Sequence, residues 1–387
     1  MTESEEYEIV DYESFEDLDL KDNLLRGIFG YGFEKPSAIQ KRAIKPFIDG
    51  NDVLAQAQSG TGKTATFTIS LLQSIDESLK QSQGIILSHT KELAIQICDF
   101  VGNISKYMNV SCCLSTGGIS VNQNMENLFK NPQIIVGTPG RIMDMINKRA
   151  LEIKYIKYVI IDEADEMLSL GFVDQIKTIF NSLVSNNLQV GLYSATMPTE
   201  FFKISDRILR NPVKILVKKE ELTLEGIKQF YVNVERIEHK FEVICDLYSN
   251  ISINQSIIYC NSKKTVVELA RRLNMNNFSV TAIHSDLTHS ERVGIIKDFR
   301  EGKSRILLST DLLSRGIDVQ QVSIVLNYDI PYIIESYIHR IGRSGRFGRK
   351  GVAINIITYQ DIRKLHDIEK FYGTQIEELP ENFSTYL

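Results

Sequence analysis

No apolar run in the 387-residue chain approaches the length of a membrane span; the longest, such as Tyr158-Val159-Ile160-Ile161, are strand-sized. The five cysteines (Cys98, Cys112, Cys113, Cys245 and Cys260) are odd in number and show no CxxC spacing. That argues against a zinc site or a disulfide frame and fits a reducing compartment. Tryptophan is absent. Residues 1–19 hold no lysine or arginine, so the basic start of a secretory signal is not expected. Basic excess is lacking too: 44 Lys and Arg stand against 49 Asp and Glu, a net charge of −5. A nucleic-acid partner, usually met by a basic surface, would have to be recognised by local groups. There is no short-period repeat and no low-complexity segment. What is present is 43% hydrophobic and 24% charged residues, the composition of a soluble globular chain. Its length exceeds one core, so two domains are expected.

Residues 1–19 carry nine acidic side chains and predict a solvated, disordered tail. From about residue 20, β-rich apolar runs alternate with helical patterns. Runs at 52–57, 84–88, 112–116, 134–137, 159–162, 190–194 and 214–217 predict a first domain over 20–217. The polar stretch 218–226 reads as a linker. Runs at 256–260, 280–283, 305–309, 324–328 and 352–357 predict a second domain over 227–387. The alternation implies an α/β fold, each domain a mostly parallel sheet with helices on both faces. Ligands of such sheets sit at the carboxyl ends of the strands, where this chain's chemical strings fall.

Two strings answer each other. Ala57-Gln58-Ser59-Gly60-Thr61-Gly62-Lys63-Thr64 follows a strand and opens a helix. Gly60 and Gly62 allow backbone N–H groups to wrap phosphates, and the helix start adds its dipole. Lys63 reaches the outer phosphates, and the Thr64 hydroxyl suits Mg²⁺. About a hundred residues on, Asp162-Glu163-Ala164-Asp165 ends an apolar strand. Asp162 is expected to hold Mg²⁺, and Glu163 to orient or deprotonate the attacking water. Together they predict ATP hydrolysis. Upstream, Gln40 could pair with adenine N6–H and N7 but not guanine, and Phe15 or Phe33 could stack on the base. The alternative is an ordinary helix start with Pro36 near its first turn.

These strings, with Ser194-Ala195-Thr196, Ile257-Ile258-Tyr259-Cys260-Asn261-Ser262, Thr310-Asp311, Arg315-Gly316-Ile317-Asp318 and His339-Arg340-Ile341-Gly342-Arg343-Ser344-Gly345-Arg346, occur in one order. Over residues 15–387 the chain resembles the DEAD-box RNA helicase family of superfamily 2. The stretches 217–227 and 315–323 are similar to the initiation factor 4A group within it, with the exon-junction group as the nearest rival. The resemblance implies two tandem RecA-like domains that close on ATP and single-stranded RNA together and locally unwind short duplexes in translation initiation. The alternative is an ATP-gated RNA clamp inside a ribonucleoprotein. It further implies an adenine role for Gln40 and phosphate contacts from Ser59, Gly60, Thr61 and Gly62. Gly316 and Asp318 are assigned to the nucleotide, with Asp318 on the ribose, and Arg343 and Arg346 act as arginine fingers. Asp165, Ser194, Thr196 and His339 couple the domains. Also implied are an initiation-factor scaffold partner, a monomeric state, no membrane, and action in the cytoplasm with the nucleus as the alternative.

RNA contacts carry over to Thr90, Glu92, Gly117, Gly118, Thr138 and Arg141 in the first domain and to Asn261, Arg292 and Thr310 in the second. Hydroxyls, backbone N–H groups and glycine clearances suit a phosphate chain rather than base edges, so little sequence preference is expected. Selection for RNA would come from its 2′-hydroxyls. The chain departs from the family pattern at several places. His89 stands for proline, Lys91 for arginine (losing a bidentate fork), Ser285 for glycine, His289 for glutamine, and Ser262 and Lys263 for threonine and arginine.

Overall fold

The computed structural model describes residues 7–57, 61–169, 171–183, 188–197, 199–216, 227–250, 253, 255–311, 322–344, 351–380 and 383. The chain divides into two compact units, Met1–Val217 and Lys218–Leu387. The expected linker at 218–226 lies outside the described residues. Among the described residues no helix is long and apolar enough to cross a membrane.

In the first unit the elements run α1 (Asp22–Tyr31), α2 (Ala38–Ile48), β1 (Val53–Gln56), α3 (Lys63–Ser74), β2 (Gly84–Leu87), α4 (Lys91–Ile104), β3 (Cys112–Ser115), α5 (Val121–Leu128), β4 (Ile134–Gly137), α6 (Pro139–Asn147), β5 (Tyr158–Asp162), α7 (Ala164–Ser169), α8 (Val173–Ser182), β6 (Gln189–Ser194), α9 (Thr199–Ile208) and β7 (Val213–Ile215). The strands lie in the order β3-β4-β2-β5-β6-β1-β7, every pairing parallel. Successive strand residues feed opposite faces. Val53, Ala55, Ile86, Val136 and Ile160 pack with α2, α3 and α4, whereas Leu54, Ile85, Ile135, Val159 and Ile161 pack with α6 to α9. Burial on both faces is why these strands read as continuous apolar runs rather than alternations.

The second unit contains β8 (Ile227–Asn233), α10 (His239–Asn250), β9 (Ser256–Tyr259), α11 (Lys263–Met275), β10 (Val280–Ile283), α12 (His289–Arg300), β11 (Ile306–Ser309), β12 (Ile324–Asn327), α13 (Ile334–Ile341), β13 (Gly351–Ile357), α14 (Ile362–Tyr372) and β14 (Glu377–Glu378). Its sheet, again parallel throughout, is ordered β10-β11-β9-β12-β13-β8-β14. The strands at β8 and β14 were not among those expected. β8 mixes Lys228 and Gln229 into its run and is held by seven register partners on β13 rather than by an apolar pattern of its own.

The acidic segment departs from expectation. Residues 1–6 lie outside the described residues, but from Tyr7 onward the chain is a strap packed on the first unit, not a free tail. Phe15 and Leu18 are fully buried. Tyr7 Oη donates to Asp49 Oδ2 at 2.7 Å, Arg42 Nε to Asp11 Oδ1 at 2.6 Å, and Lys41 pairs with Glu13. The acids are retained because α2 offers Lys41 and Arg42 to meet them, and two apolar anchors oppose solvation.

Candidate nucleotide and nucleic-acid sites

The phosphate loop leaves β1 and enters α3 through Gly62, whose φ of +103° suits glycine. A Cβ there would lie 2.6 Å from Gln40 Nε2 and 3.1 Å from Ser37 Oγ. Ser59 and Gly60 lie outside the described residues. Lys63 is buried at the first position of α3. Its Nζ donates to Ala57 O at 2.9 Å and stands 3.9 Å from Glu163 Oε1. Thr61 and Thr64 are half-exposed beside it.

β5 delivers the acidic string to the same edge of the parallel sheet, with only β6 between it and β1. Asp162 closes the strand, and its Oδ1 accepts from Glu163 N at 2.9 Å. Glu163 has φ +48°, an uncommon left-handed turn for a non-glycine residue. It lets the chain leave the strand and begin α7 at once. Backbone conformations of this kind cost about 1–3 kcal/mol and gather at functional sites. Asp165 is fixed by the Thr196 hydroxyl, which donates to Asp165 Oδ2. Ser194 Oγ donates to Thr196 O at 2.7 Å. Burial first, then the Glu163 charge, pushes the Asp162 carboxyl up to about 7, against the opposing pull of Lys63. Three buried carboxylates thus meet one buried lysine. This surplus of hard oxygen donors and negative charge fits a divalent cation such as Mg²⁺, which is bound by one or two carboxylates together with substrate phosphates.

Gln40 is both the expected site residue and a helix cap. α2 begins at Ala38 with Ser37 as its cap, so Pro36 precedes the cap instead of opening the helix. Gln40 Oε1 accepts from Ser37 N at 2.8 Å, and Nε2 donates to Gly62 O at 3.4 Å. The amide ties the helix start to the phosphate loop, leaving one lone pair and one N–H for a base. Phe15 does not meet the expectation of a stacking ring. It is fully buried, edge-on to Phe29 and Phe33 at 6.4 Å each, so it supports rather than contacts a base. Phe33 stays half-exposed and stacks on Tyr31 at 5.5 Å.

The expected RNA residues of the first unit gather on one lip, where the neighbouring strands β3, β4 and β2 end. Thr90 caps α4, accepting from Leu93 N at 3.2 Å. Thr138 precedes Pro139 at the start of α6, and Ser120 caps α5. Three helix N-termini therefore meet there, an arrangement that favours phosphates. Gly117 and Gly118 turn between β3 and α5 with the Lys91 side chain against them, and Glu92 sits half-exposed in the first turn of α4. Arg141 holds this turn, donating to Ile119 O at 2.9 Å and more weakly to Asn124 Oδ1 at 3.4 Å.

In the second unit, Asn261 and Thr310 follow the adjacent strands β9 and β11, and Arg292 lies in the first turn of α12. The Asn261 amide is already engaged, contrary to a free RNA contact. Its Nδ2 donates to Ile330 O at 2.8 Å and its Oδ1 accepts from Arg340 Nη2 at 2.7 Å. His339, in the last turn of α13, and Arg343, just beyond it, are both buried. Gly316, Asp318 and Arg346 lie outside the described residues.

Two residues escaped the sequence reading. Arg340, fully buried, also binds Asp311 Oδ2 at 3.0 Å, Asp329 O at 2.7 Å and Asn327 Oδ1 at 3.3 Å. It lies within the quoted string His339–Arg346, but nothing local distinguishes it from the proposed fingers. Tyr193 pairs in register with Asp162 and packs on Phe67 at 5.2 Å. Burial and the Asp162 charge push its phenol up. Its place just before Ser194 was the available signal.

Residues 37–204 match the DEAD/DEAH box helicase family, and residues 239–348 match the helicase conserved C-terminal domain. The chain belongs to the DEAD/DEAH box helicase family. An ATP-dependent RNA helicase eIF4A of Meyerozyma guilliermondii is 58% identical over 95% of this chain and 93% of its own length. Eukaryotic initiation factor 4A of Caenorhabditis elegans is 54% identical over 96% and 92%. Among solved structures, Saccharomyces cerevisiae Dbp5 bound to RNA and ADP BeF3 superposes with a TM-score of 0.88 at 36% identity, over 95% of each chain. The two parallel sheets are accordingly the tandem RecA-like domains of a DEAD-box helicase.

Proposed function

We infer that the protein is an ATP-dependent RNA helicase of translation initiation, the activity named for its eIF4A relatives. The observation that carries the catalytic part of this reading is the placement of Lys63 within 3.9 Å of Glu163 at the end of β5. One strand end and one helix start thereby face the same small volume with a cation, a base and a metal-ligating acid. ATP is the substrate. Gly62, Lys63 and the N-terminus of α3 bind its phosphates, and Glu163 orients the attacking water and accepts its proton. Thr64 and Asp162 would hold Mg²⁺, which when bound offsets charge on the transferring phosphoryl group. Gln40 selects adenine, and Phe33 is assigned to the base. Gly316 and Asp318 are assigned to the nucleotide, and Arg343 and Arg346 to the γ-phosphate once ATP and RNA draw the two units together. His339 is assigned to coupling with Asp165, Ser194 and Thr196.

RNA is gripped by its backbone along the lip of Thr90, Glu92, Gly117, Gly118, Thr138 and Arg141, with Arg292, Thr310 and the backbone at Asn261 as the second unit's share. Because that grip needs no basic surface, a net charge of −5 is compatible with it. An initiation-factor scaffold partner, a monomeric state and a cytoplasmic place of action complete the reading.

The test is Glu163→Gln. The variant should bind ATP, lose RNA-stimulated hydrolysis by two orders of magnitude or more on the scale of a removed general base, and retain a short RNA strand long after ATP is added. Wild-type protein should separate a short RNA duplex repeatedly with ATP. Hydrolysis by the variant at the wild-type rate would remove Glu163 from its role.

A further inference from the structure

We propose that Cys98 and Cys112 form a peroxide-sensitive thiol pair, closing to a disulfide that straps α4 to the edge strand β3. The sulfurs stand 3.2 Å apart and share a hydrogen bond. They arrive there by secondary-structure geometry. Cys98 lies on the face of α4 that carries Ala94 and Val101, one turn to either side, into the core. Cys112 opens β3 on that same side of the sheet, while its neighbour Cys113 alternates to the opposite face and joins the other core. Cys113 is therefore no competitor, although it adjoins Cys112 in sequence. A disulfide bond of about 2.05 Å requires the two sulfurs to approach by roughly 1 Å.

The reactivity is asymmetric. Cys98 is half-exposed and its thiol is lowered, chiefly by the hydrogen bond it shares with Cys112, whose own thiol is raised, whereas burial pushes the Cys113 thiol up to about 11 and that of Cys260 higher still. The thiolate is the attacking species. Its sulfur takes one oxygen from the peroxide as the O–O bond breaks, and the departing hydroxide takes up the proton that the thiol had released, leaving a sulfenic acid and water. The Cys112 sulfur then attacks the Cys98 sulfur, the S–O bond breaks, and a second water leaves with the Cys112 proton. Each sulfur gives up one electron, and the two peroxide oxygens are reduced to water. The product joins the helix that starts at Thr90 and Glu92 to the strand that leads into Gly117 and Gly118, two parts of one lip.

The full chain is treated with stoichiometric hydrogen peroxide, blocked with a thiol alkylator and mapped by mass spectrometry without reductant. The expected result is one cross-linked peptide pair holding Cys98 and Cys112, lighter by two hydrogens, reversed by dithiothreitol, and retained in Cys113→Ser. Amide exchange in α4 and β3 should slow in the oxidised protein, and Cys98→Ser and Cys112→Ser should each abolish both effects. Overoxidation of Cys98 to sulfinic acid with Cys112 still reduced would overturn the proposal. So would oxidation of the half-exposed Cys245 while the pair remains reduced.

Discussion

The Thr196 hydroxyl donates its hydrogen to the Asp165 carboxylate, joining the loop after β6 to the helix that follows the strand-end acids. Both groups are buried, with Asp165 6% and Thr196 5% exposed. A carboxylate at that depth depends on each donor it has, and a lost partner costs about 1–3 kcal/mol, more for a charged group. Thr196→Val keeps the shape and deletes the donor. It should lower the thermal midpoint of the nucleotide-free protein, whereas Thr196→Ser should restore most of it. Equal midpoints for Val and wild type would mean that the hydroxyl contributes no net stability.

Gly62→Ala should abolish nucleotide binding for two separable reasons. The new Cβ would stand 2.6 Å from Gln40 Nε2, and φ at this position is +103°. Trimming the clash with a second change, Gln40→Ala, leaves the backbone strain in place, so the double variant should not recover binding. Gln40→Ala alone should lose discrimination between ATP and GTP and also destabilise the start of α2 by about 0.5–2 kcal/mol, because the same amide completes the helix cap. Titration with both nucleotides, alongside thermal unfolding, separates the two effects.

The nucleotide-free protein should lose stability as pH rises across the Asp162 transition. Burial and Glu163 push this carboxyl up to about 7 from an ordinary value of 3.8. Between about pH 4 and about pH 7 the native state therefore holds a proton that the unfolded chain has released. Fewer protons bound in the unfolded state mean that the unfolding free energy falls with rising pH through that window. The contribution is complete below the unfolded value and gone above the native one. Denaturant unfolding of wild type and Asp162→Asn at several pH values measures it. The variant should be flatter across the window, and parallel curves would refute the assignment to Asp162.

Most of the fold was legible because both sheets are buried on both faces. Val53–Gln56, Ile134–Gly137, Tyr158–Asp162 and Ile324–Asn327 announce themselves as apolar runs, with Gly62 following the first and Asp162 closing the third at the carboxyl end. Legibility failed where long-range contact outweighed local composition. The acidic strap reads as solvated until Lys41 and Arg42 on α2 come into view. Phe15 looks like an aromatic awaiting a base until Phe29 and Phe33 close around it. Asn261 has the chemistry of an RNA contact, but its amide is engaged by Ile330 and by an arginine 79 positions away. No window of sequence contains those pairings.

Arg340 supplies the sharpest test of that last point. Its guanidinium contacts Asp311, Asn261, Asn327 and the Asp329 carbonyl with no exposed surface. The network continues from Asn327 Nδ2 to Asn355 Oδ1 at 2.9 Å, and Asn355 meets the Tyr337 hydroxyl at 3.2 Å. Asp311 is itself 42% exposed, so the larger loss falls on the Asn261, Asn327 and Asp329 oxygens that would be left without a donor, each costing about 1–3 kcal/mol. Arg340→Ala should therefore destabilise the second unit by at least about 1–3 kcal/mol. Arg340→Lys should recover little, since an ammonium cannot reproduce a planar fork reaching four groups. Chemical unfolding should show the loss in both variants. A milder loss in Arg340→Lys than in Arg340→Ala by more than about 2 kcal/mol would mean that charge, not fork geometry, organises the strand ends carrying Asn261 and Asp311.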